Sequence, residues 1–331
     1  MKTKIEWVRN PDGSQGYTHN PMSGCRNHTP EGLCLGGLFP CYAWKLVQGR
    51  LKPLYLANKV GLRSDLFRFP DTDPCSAKRQ ETWLAVHDPF YPRFWEERLA
   101  EMTKRNDRLY YDGEKTKYAI SPRGIFVCDM GDLFGVGVPE QWTEKVLDEI
   151  WGNKGYDRFY ILTKQAQRLP EFSPFPDNAW VGVTATSCKM LLDALWELQD
   201  IQAKVKYLSL EPLLDWTHSE KEPNDHIGYI ADWIRRAGIN WLIIGACTGT
   251  LNEMQALRLR NPELSVKLLG GNKWTAQPRI EWVREIVEAA DQAGIPVFLK
   301  ENIVPLIAGK GTPEGLFYKD CWLRQEMPER R

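Results

Sequence analysis

The feature that most constrains this chain is a recurrence between residues 117 and 299. A short apolar run, a polar close and a helical pattern follow one another repeatedly. The runs are 124–130, 158–162, 179–183, 205–210, 240–244 and 295–299. They are rich in Val, Ile, Leu and Phe without strict alternation, which is the pattern of parallel strands buried on both faces. Pro139 opens a helical pattern carrying Trp142, Val146, Leu147 and Ile150, with Gly152 as its stop. Leu191, Leu192, Leu195 and Leu198 mark the next helix, and residues 227–236 a third that ends at Gly238. Ile280, Val283, Ile286, Val287 and Ala290 mark the last, stopped by Gly294. Regular βα repetition leads to a doubly wound sheet or a (β/α) barrel. Further strands at 17–20 and 90–94 bring the total to about eight, the barrel number. No Gly-x-Gly-x-x-Gly follows the first strand, which disfavours a dinucleotide-binding fold. The expectation is α/β, a TIM-type (β/α) barrel, full or partial, in a single domain over residues 1–331. Two stretches depart from the rhythm. Residues 50–117 read as turns at 70–74 and 88–92, a helix at 94–105 and an exposed polar connection at 106–117. Residues 248–277 read as an inserted loop or lid.

Length and composition agree with a globular α/β chain: 331 residues, 43% hydrophobic and 26% charged. Lys+Arg and Asp+Glu are 43 each, so the net charge is zero. That removes any global basic field for nucleic acid and leaves only a local patch open. No apolar leader and no run of about 18 apolar residues is present, so the reading is a cytoplasmic protein with no membrane partner. Most of the fourteen tryptophans are expected in the core.

A parallel barrel carries its active site at the C-terminal ends of its strands. There this chain places Asp129 and Asp132, Thr163 and Lys164, Thr184 and Thr186, Glu211, Cys247, and Lys300 with Glu301. Any one of these is an ordinary solvated loop residue; their convergence on one mouth points to a site. Lys164 and Lys300 also admit Schiff-base chemistry, which leaves the cysteines without a role.

Three of the eight cysteines, Cys25, Cys34 and Cys41, stand close together in a Cys-x8-Cys-x6-Cys pattern. In a reducing compartment such a cluster binds metal or does chemistry. Structural zinc takes four ligands, usually with one tight cysteine pair; His28 or His19 would have to complete the set. Gly24, Gly32, Gly36, Gly37, Pro30 and Pro40 let the loop wrap a bulky centre, and thiolates suit iron. Three thiolates on a four-iron cluster leave one iron open. Cys75, Cys128, Cys188 and Cys321 read as non-ligands, and Cys247 as a half-buried structural cysteine.

The cysteine loop with Tyr42-Ala43 resembles a phage-associated family of radical-SAM-like proteins. That family is catalogued as a domain of unknown function, and its members neighbour a "three-Cys-motif partner" protein. Ile5-Glu6-Trp7, Asn20-Pro-x-x-Gly-Cys25, Met130-Gly-Asp-Leu-Phe134, Leu162-Thr-Lys164, Trp180-Val-Gly-Val183, Leu208-Ser-x-Glu-Pro-Leu-Leu214, Trp241-Leu-Ile-Ile-Gly245 and Pro296-Val-Phe-x-Lys300 keep the family's order. The resemblance implies a radical S-adenosylmethionine enzyme. Cys25, Cys34 and Cys41 would hold a [4Fe–4S] cluster, and S-adenosylmethionine would chelate the fourth iron and be cleaved to a 5′-deoxyadenosyl radical. Asp132, Thr163, Lys164, Thr184 and Glu211 would bind the cofactor. Lys300 and Glu301 would face the substrate. A flavodoxin- or ferredoxin-type electron donor is implied, and a three-Cys-motif protein is a further candidate partner. Two departures stand out. The second cysteine gap is wider than the family's, and Gly245 is followed by Ala-Cys-Thr-Gly where relatives carry Gly-Glu-Ser-Gly. The alternative is a zinc- or cluster-organised barrel that binds a partner or nucleic acid without radical chemistry.

Overall fold

Seven of the expected strands form one parallel sheet in the computed structural model. They are β1 Tyr17–His19, β2 Gly124–Val127, β3 Arg158–Thr163, β4 Ala179–Thr184, β5 Val205–Leu210, β6 Ile239–Ile244 and β7 Val297–Leu299. The structure describes residues 2–68, 76–104, 108–111, 116–119, 121–154, 156–217, 225–307 and 323–328, with 108–111 and 116–119 described by backbone alone. The order along the sheet is the order along the chain, from β1 to β7 without reversal. A doubly wound sheet reverses at a switch point, whereas a singly wound order is that of a (β/α) barrel. Because β1 and β7 are the two ends of this order, the barrel is partial. β2, β4, β5 and β7 are buried at every residue; β2 and β7 accordingly read as continuous apolar runs, whereas β5 also buries Lys206 and Ser209.

Helices α1 Glu140–Gly152, α2 Cys188–Gln199, α3 His226–Arg236 and α4 Ile280–Ala293 each bury one apolar stripe. In α2 that stripe is Leu191, Ala194, Leu195 and Leu198, and the Ser187 hydroxyl caps the helix by accepting from the Met190 N–H. In α4 it runs through Val283, Ile286, Val287 and Ala290 to the stop at Gly294. Pro139 is the cap of α1 rather than its first residue, and Gly152 is its last helical residue, capped by Asn153.

The chain divides into two compact units. One comprises Met1–Arg26, Ala43–Ile161 and Phe175–Trp180, the other Asn27–Tyr42, Leu162–Pro174 and Val181–Arg331. In the first, Trp7 packs at 5.1 Å from Phe126 and 5.6 Å from Tyr160, and Tyr160 meets Trp180 edge-on at 5.3 Å. In the second, Trp241 lies between Tyr207 at 5.7 Å and Phe298 at 6.1 Å.

The eighth strand, expected at 90–94, does not join the main sheet. Arg93–Phe94 pairs antiparallel with Met22–Ser23 in a ladder of its own. Two residues held between Pro92 and a helix leave no room for a longer parallel pairing. Residues 50–117 are also more regular than expected, with helices Lys52–Ala57, Asp65–Arg68, Ala77–His87 and Glu96–Thr103. An antiparallel strand pair, Arg108–Tyr111 with Thr116–Ala119, overlaps the supposed polar connection. The turn at 70–74, Cys75 and Cys321 lie outside the described residues. Residues 248–277 are no open loop. Cys247–Gly249, Lys273–Gln277 and Ser265–Gly270 make a three-stranded antiparallel sheet, with helix Leu251–Arg260 beside it. The local signal was legible: Thr250-x-x-Glu253 forms a complete capping box.

Candidate functional site

The cysteine segment is built from backbone contacts that only its own sequence permits. In the first unit, Gly24 N–H donates to the Met130 carbonyl at 2.9 Å, and Asp132 N–H donates back to the Gly24 carbonyl at 3.3 Å. Cys25 N–H donates to the Phe90 carbonyl at 2.9 Å. Gly24 has φ +92°, and a Cβ there would lie 2.6 Å from the carbonyl oxygens of Phe90 and Tyr91, so glycine is required. Cys25 is thereby fixed between the loop after β2 and the turn at 88–91. Arg93 organises that turn. It is 1% exposed, and its guanidinium donates to the carbonyls of Asp88 and Tyr91 at 2.9 Å and of Ala85 at 2.8 Å. Burial brings it down to about 10.

In the second unit, Leu33–Cys34 and Phe39–Pro40 form a small hairpin, and Cys41 N–H donates to the Gly32 carbonyl at 3.0 Å. This hairpin is seated on strand ends of the partial barrel. The buried Thr186 hydroxyl, just past β4, donates to the Gly36 carbonyl at 2.8 Å. Gly37, at φ +129°, lies so close that a Cβ would be 2.7 Å from Thr186 Oγ1 and 2.8 Å from Leu214 Cδ1. Lys164, just past β3, holds its ammonium 5.9 Å from the centre of the Phe39 ring. Arg260 donates to the Leu38 carbonyl at 3.0 Å. None of Cys25, Cys34 and Cys41 is in a disulfide; Cys34 is buried and the other two half-buried.

The expected strand-end residues of this unit have different surroundings. Glu211 and Lys300, 89 residues apart in sequence, form a short ion pair with both side chains largely shielded. Gly245 makes room for it, because a Cβ there would approach Glu211 Cγ to 3.1 Å. Asn302, which sequence reasoning missed, fixes the backbone beside the pair. Its Oδ1 accepts from Ala246 N–H at 3.0 Å, and its Nδ2 donates to the Ala246 carbonyl at 2.8 Å. Nothing but its position after a strand end could have signalled it. Thr184 is 1% exposed, and its hydroxyl has no hydrogen-bond partner among the described residues. It lines a cavity of about 170 Å³ with Lys164, Gln167, Met190 and Glu197. Thr163 is different: its hydroxyl accepts from Gln165 N–H at 2.9 Å and so closes the turn that carries Lys164. Glu301 is exposed on the turn after β7. Cys247 is buried and pairs with Ala276 in the antiparallel sheet.

In the first unit, Asp129 Oδ1 accepts from the Asn20 amide at 2.7 Å, and burial pushes its carboxyl above the ordinary aspartate value. Asp132 Oδ1 accepts from Phe134 N–H at 3.2 Å and staples its own loop. The Cys128 thiol is pushed up to about 12 by burial, which suits a core cysteine rather than a ligand. Of the two histidines considered for zinc, His28 has Nδ1 at 2.8 Å from the Thr29 carbonyl and His19 has Nε2 at 2.6 Å from the Arg98 carbonyl. Among the described residues no three His, Cys, Asp or Glu side chains are grouped to hold a metal ion.

A family model described as a protein of unknown function, DUF5131, matches residues 2–303. The chain belongs to this family. Among curated proteins no sequence matches. Two solved structures of mutant spore photoproduct lyase are similar in fold. The one with bound AdoMet and dinucleoside spore photoproduct is 13% identical, covers 90% of this chain and 80% of that one, and has a TM-score of 0.46. The other, with dinucleoside spore photoproduct, is 13% identical over 64% of this chain and 70% of that one, at a TM-score of 0.41.

Proposed function

We propose that this DUF5131 protein is a radical S-adenosylmethionine enzyme whose Cys25, Cys34 and Cys41 hold a [4Fe–4S] cluster. The observation that carries the reading is the seat of the Cys34–Cys41 hairpin on Thr186, at strand ends of a partial (β/α) barrel that also carry Lys164, Thr184, Glu211 and Lys300. Three cysteines on one segment, none in a disulfide, are a soft donor set that suits iron. When bound, the cluster and S-adenosylmethionine together supply reductive cleavage of the cofactor's sulfonium carbon–sulfur bond.

The chain's own residues bind and orient. Lys164 offers an ammonium to the cofactor's carboxylate, and the turn closed by Thr163 fixes its backbone. The buried Thr184 hydroxyl offers a hydrogen bond to a polar group in the cavity that both residues line. Asp132 is the candidate for the amino group. Glu211, held by Lys300, presents a carboxylate to ribose, adenine or substrate, and Lys300 with Glu301 borders the substrate side. The short Glu211–Lys300 contact, largely shielded from solvent, aligns the two groups.

Anaerobic purification with iron and acid-labile sulfide analysis tests the assignment. About four irons and as many sulfides per chain are expected, and both should be lost in Cys34→Ala. The reduced protein should then release 5′-deoxyadenosine from S-adenosylmethionine. Stoichiometric zinc without sulfide would sink the proposal, and so would a loaded, reducible cluster that leaves the cofactor intact.

A further inference from the structure

The chain's zero net charge conceals a local imbalance. Residues 43–68, directly after the last cysteine of the cluster, carry Lys45, Arg50, Lys52, Lys59, Arg63 and Arg68 against the single acid Asp65. That is a net of +5 in a chain whose total is zero. Asp65 is already engaged by Arg63 at 2.6 Å, and Arg63 reaches on to Glu81 at 3.2 Å. Arg50, Lys52, Lys59 and Arg68 are exposed, and no ion pair reaches them among the described residues.

The segment buries its apolar side chains and leaves these cations exposed. The buried residues of the segment are apolar: Ala43, Val47, Tyr55, Leu62 and Leu66. Leu62 and Leu66 cluster with Ala85 and Tyr91, and this helical layer is tied to the 88–95 segment. Gln48 donates to Asp88, Tyr55 meets Trp95 edge-on at 5.3 Å, and Asn58 donates to the Phe94 carbonyl at 2.8 Å. The short helix with Leu66 is joined to Ala77–His87 through the Thr82 hydroxyl, which donates to the Leu66 carbonyl at 3.3 Å. Two large rings stay about half or more exposed on these helices. Phe67 is 48% exposed and Trp83 60%, the latter stacked on His87 at 4.6 Å.

We propose that the outer side of this layer docks single-stranded nucleic acid, with Arg50, Lys52, Lys59 and Arg68 on phosphates and Phe67 and Trp83 under unpaired bases. Cations without anionic partners attract a polyanion and release its counterions. Exposed rings among them suit bases that are not stacked in a duplex, because every base has a π-face. An anionic membrane could use the same cations and rings, so vesicle capture is the competing outcome. The acids that follow, Asp71 and Asp73, lie outside the described residues. The proposal does not rest on the cluster chemistry, and loss of the metal reading leaves it standing.

Fluorescence anisotropy of a labelled oligothymidylate of about 20 nucleotides, titrated with the full chain at about 50 to 300 mM salt, tests it. Binding should fall linearly in a log–log plot. Neutralising the four cations together (Arg50→Gln, Lys52→Gln, Lys59→Gln, Arg68→Gln) should weaken binding at least tenfold and flatten the slope by about 3. The variant's melting curve, followed by circular dichroism, should stay that of the parent. Phe67→Ala with Trp83→Ala should weaken binding and leave the slope unchanged. Absence of binding at low salt, or a four-cation variant with parental affinity and slope, would overturn the assignment. Equal capture by phosphatidylserine vesicles, lost in the same variant, would make the layer a general anion surface and overturn it too.

Discussion

Gly37→Ala is the sharpest probe of how the thiol hairpin is held. The substitution puts a methyl where Thr186 Oγ1 is 2.7 Å away and Leu214 Cδ1 2.8 Å away. Real Cβ atoms do not come this close, so the hairpin or Thr186 must shift. Thr186 is held by its bond to the Gly36 carbonyl at 2.8 Å, and a shift breaks it. The lost bond costs about 1 kcal/mol, more if the carbonyl stays buried without a donor. Holding a non-glycine residue at φ +129° adds about 1–3 kcal/mol. Together the docked state of the hairpin loses about 2–4 kcal/mol. Cys34 is 7% exposed while the hairpin is docked, so alkylation has to wait for local opening. At about 1.4 kcal/mol per tenfold, Cys34 should react with iodoacetamide roughly thirtyfold to several hundredfold faster. Peptide mass spectrometry on timed quenches reads Cys34, with Cys25 as an internal reference. Gly13→Ala is the control: its φ is +84°, nothing lies within 4 Å of the new methyl, and Cys34 should keep its parental rate. A Gly37→Ala rate for Cys34 within twofold of the parent would refute the docking argument.

Three further outcomes follow from the same contacts. Lys300→Met and Glu211→Gln, alone and together, should show a coupling of about 1–3 kcal/mol in urea melts, since both side chains are mostly shielded; simple additivity would refute a working pair. Burial holds His19 below its ordinary value of 6.5, so the unfolded chain takes up a proton that the folded chain resists. The stability this group contributes is complete above that value and is lost as pH falls through the lower folded value. His19→Gln should therefore flatten the fall in stability on acidification below about pH 6.5, and an unchanged pH slope would refute it. Arg93→Met removes the donor from the carbonyls of Ala85, Asp88 and Tyr91 and should cost about 3 kcal/mol or more. It should also speed alkylation of Cys25, whose N–H rests on the Phe90 carbonyl of that turn, and leave Cys34 at its parental rate.

The parallel sheet was legible because burial on both faces writes itself into sequence. β4 is buried at all six residues, and it reads as an apolar run bounded by polar ones. Helix α4 was legible from its stripe and its stop at Gly294. The pairing of Arg93–Phe94 with Met22–Ser23 was not, because a two-residue ladder carries no period and its direction is set by tertiary contacts. Glu211 and Lys300 were foreseen at one mouth, but only the chain-ordered sheet brings residues 89 apart into contact. Thr163 read like Thr184, a threonine at a strand end. The difference lies in one backbone N–H, that of Gln165, which engages the first hydroxyl, whereas the second lines a cavity. Asn302 and Arg93 act on carbonyls far away in sequence, and no local pattern announces that.

The glycines of the cysteine segment bear on what the segment holds. Their number reads as freedom to wrap a bulky centre. The structure gives the most constrained of them other partners: Gly24 lies on the Phe90 and Tyr91 carbonyls, and Gly37 on Thr186 and Leu214. Those two glycines are required for seating the segment on the protein, whether or not a metal is bound. Evidence for a metal centre therefore rests on the thiols, not on the loop's composition. Gly36 separates the two readings. A Cβ there would meet Lys164 Cδ at 3.4 Å and Cys34 Sγ at 3.6 Å, which is ordinary contact. Gly36→Ala should thus leave the alkylation rate of Cys34 and the melting curve unchanged, whereas its neighbour Gly37→Ala changes the first. If the metal-free protein tolerates Gly36→Ala and iron and sulfide loading nevertheless collapses, the methyl intrudes on the space beside the Cys34 sulfur that a cluster needs. If loading is kept, Gly36 serves neither the seat nor a cluster. Equal damage to the metal-free protein by both substitutions would refute the division of labour drawn between these adjacent glycines.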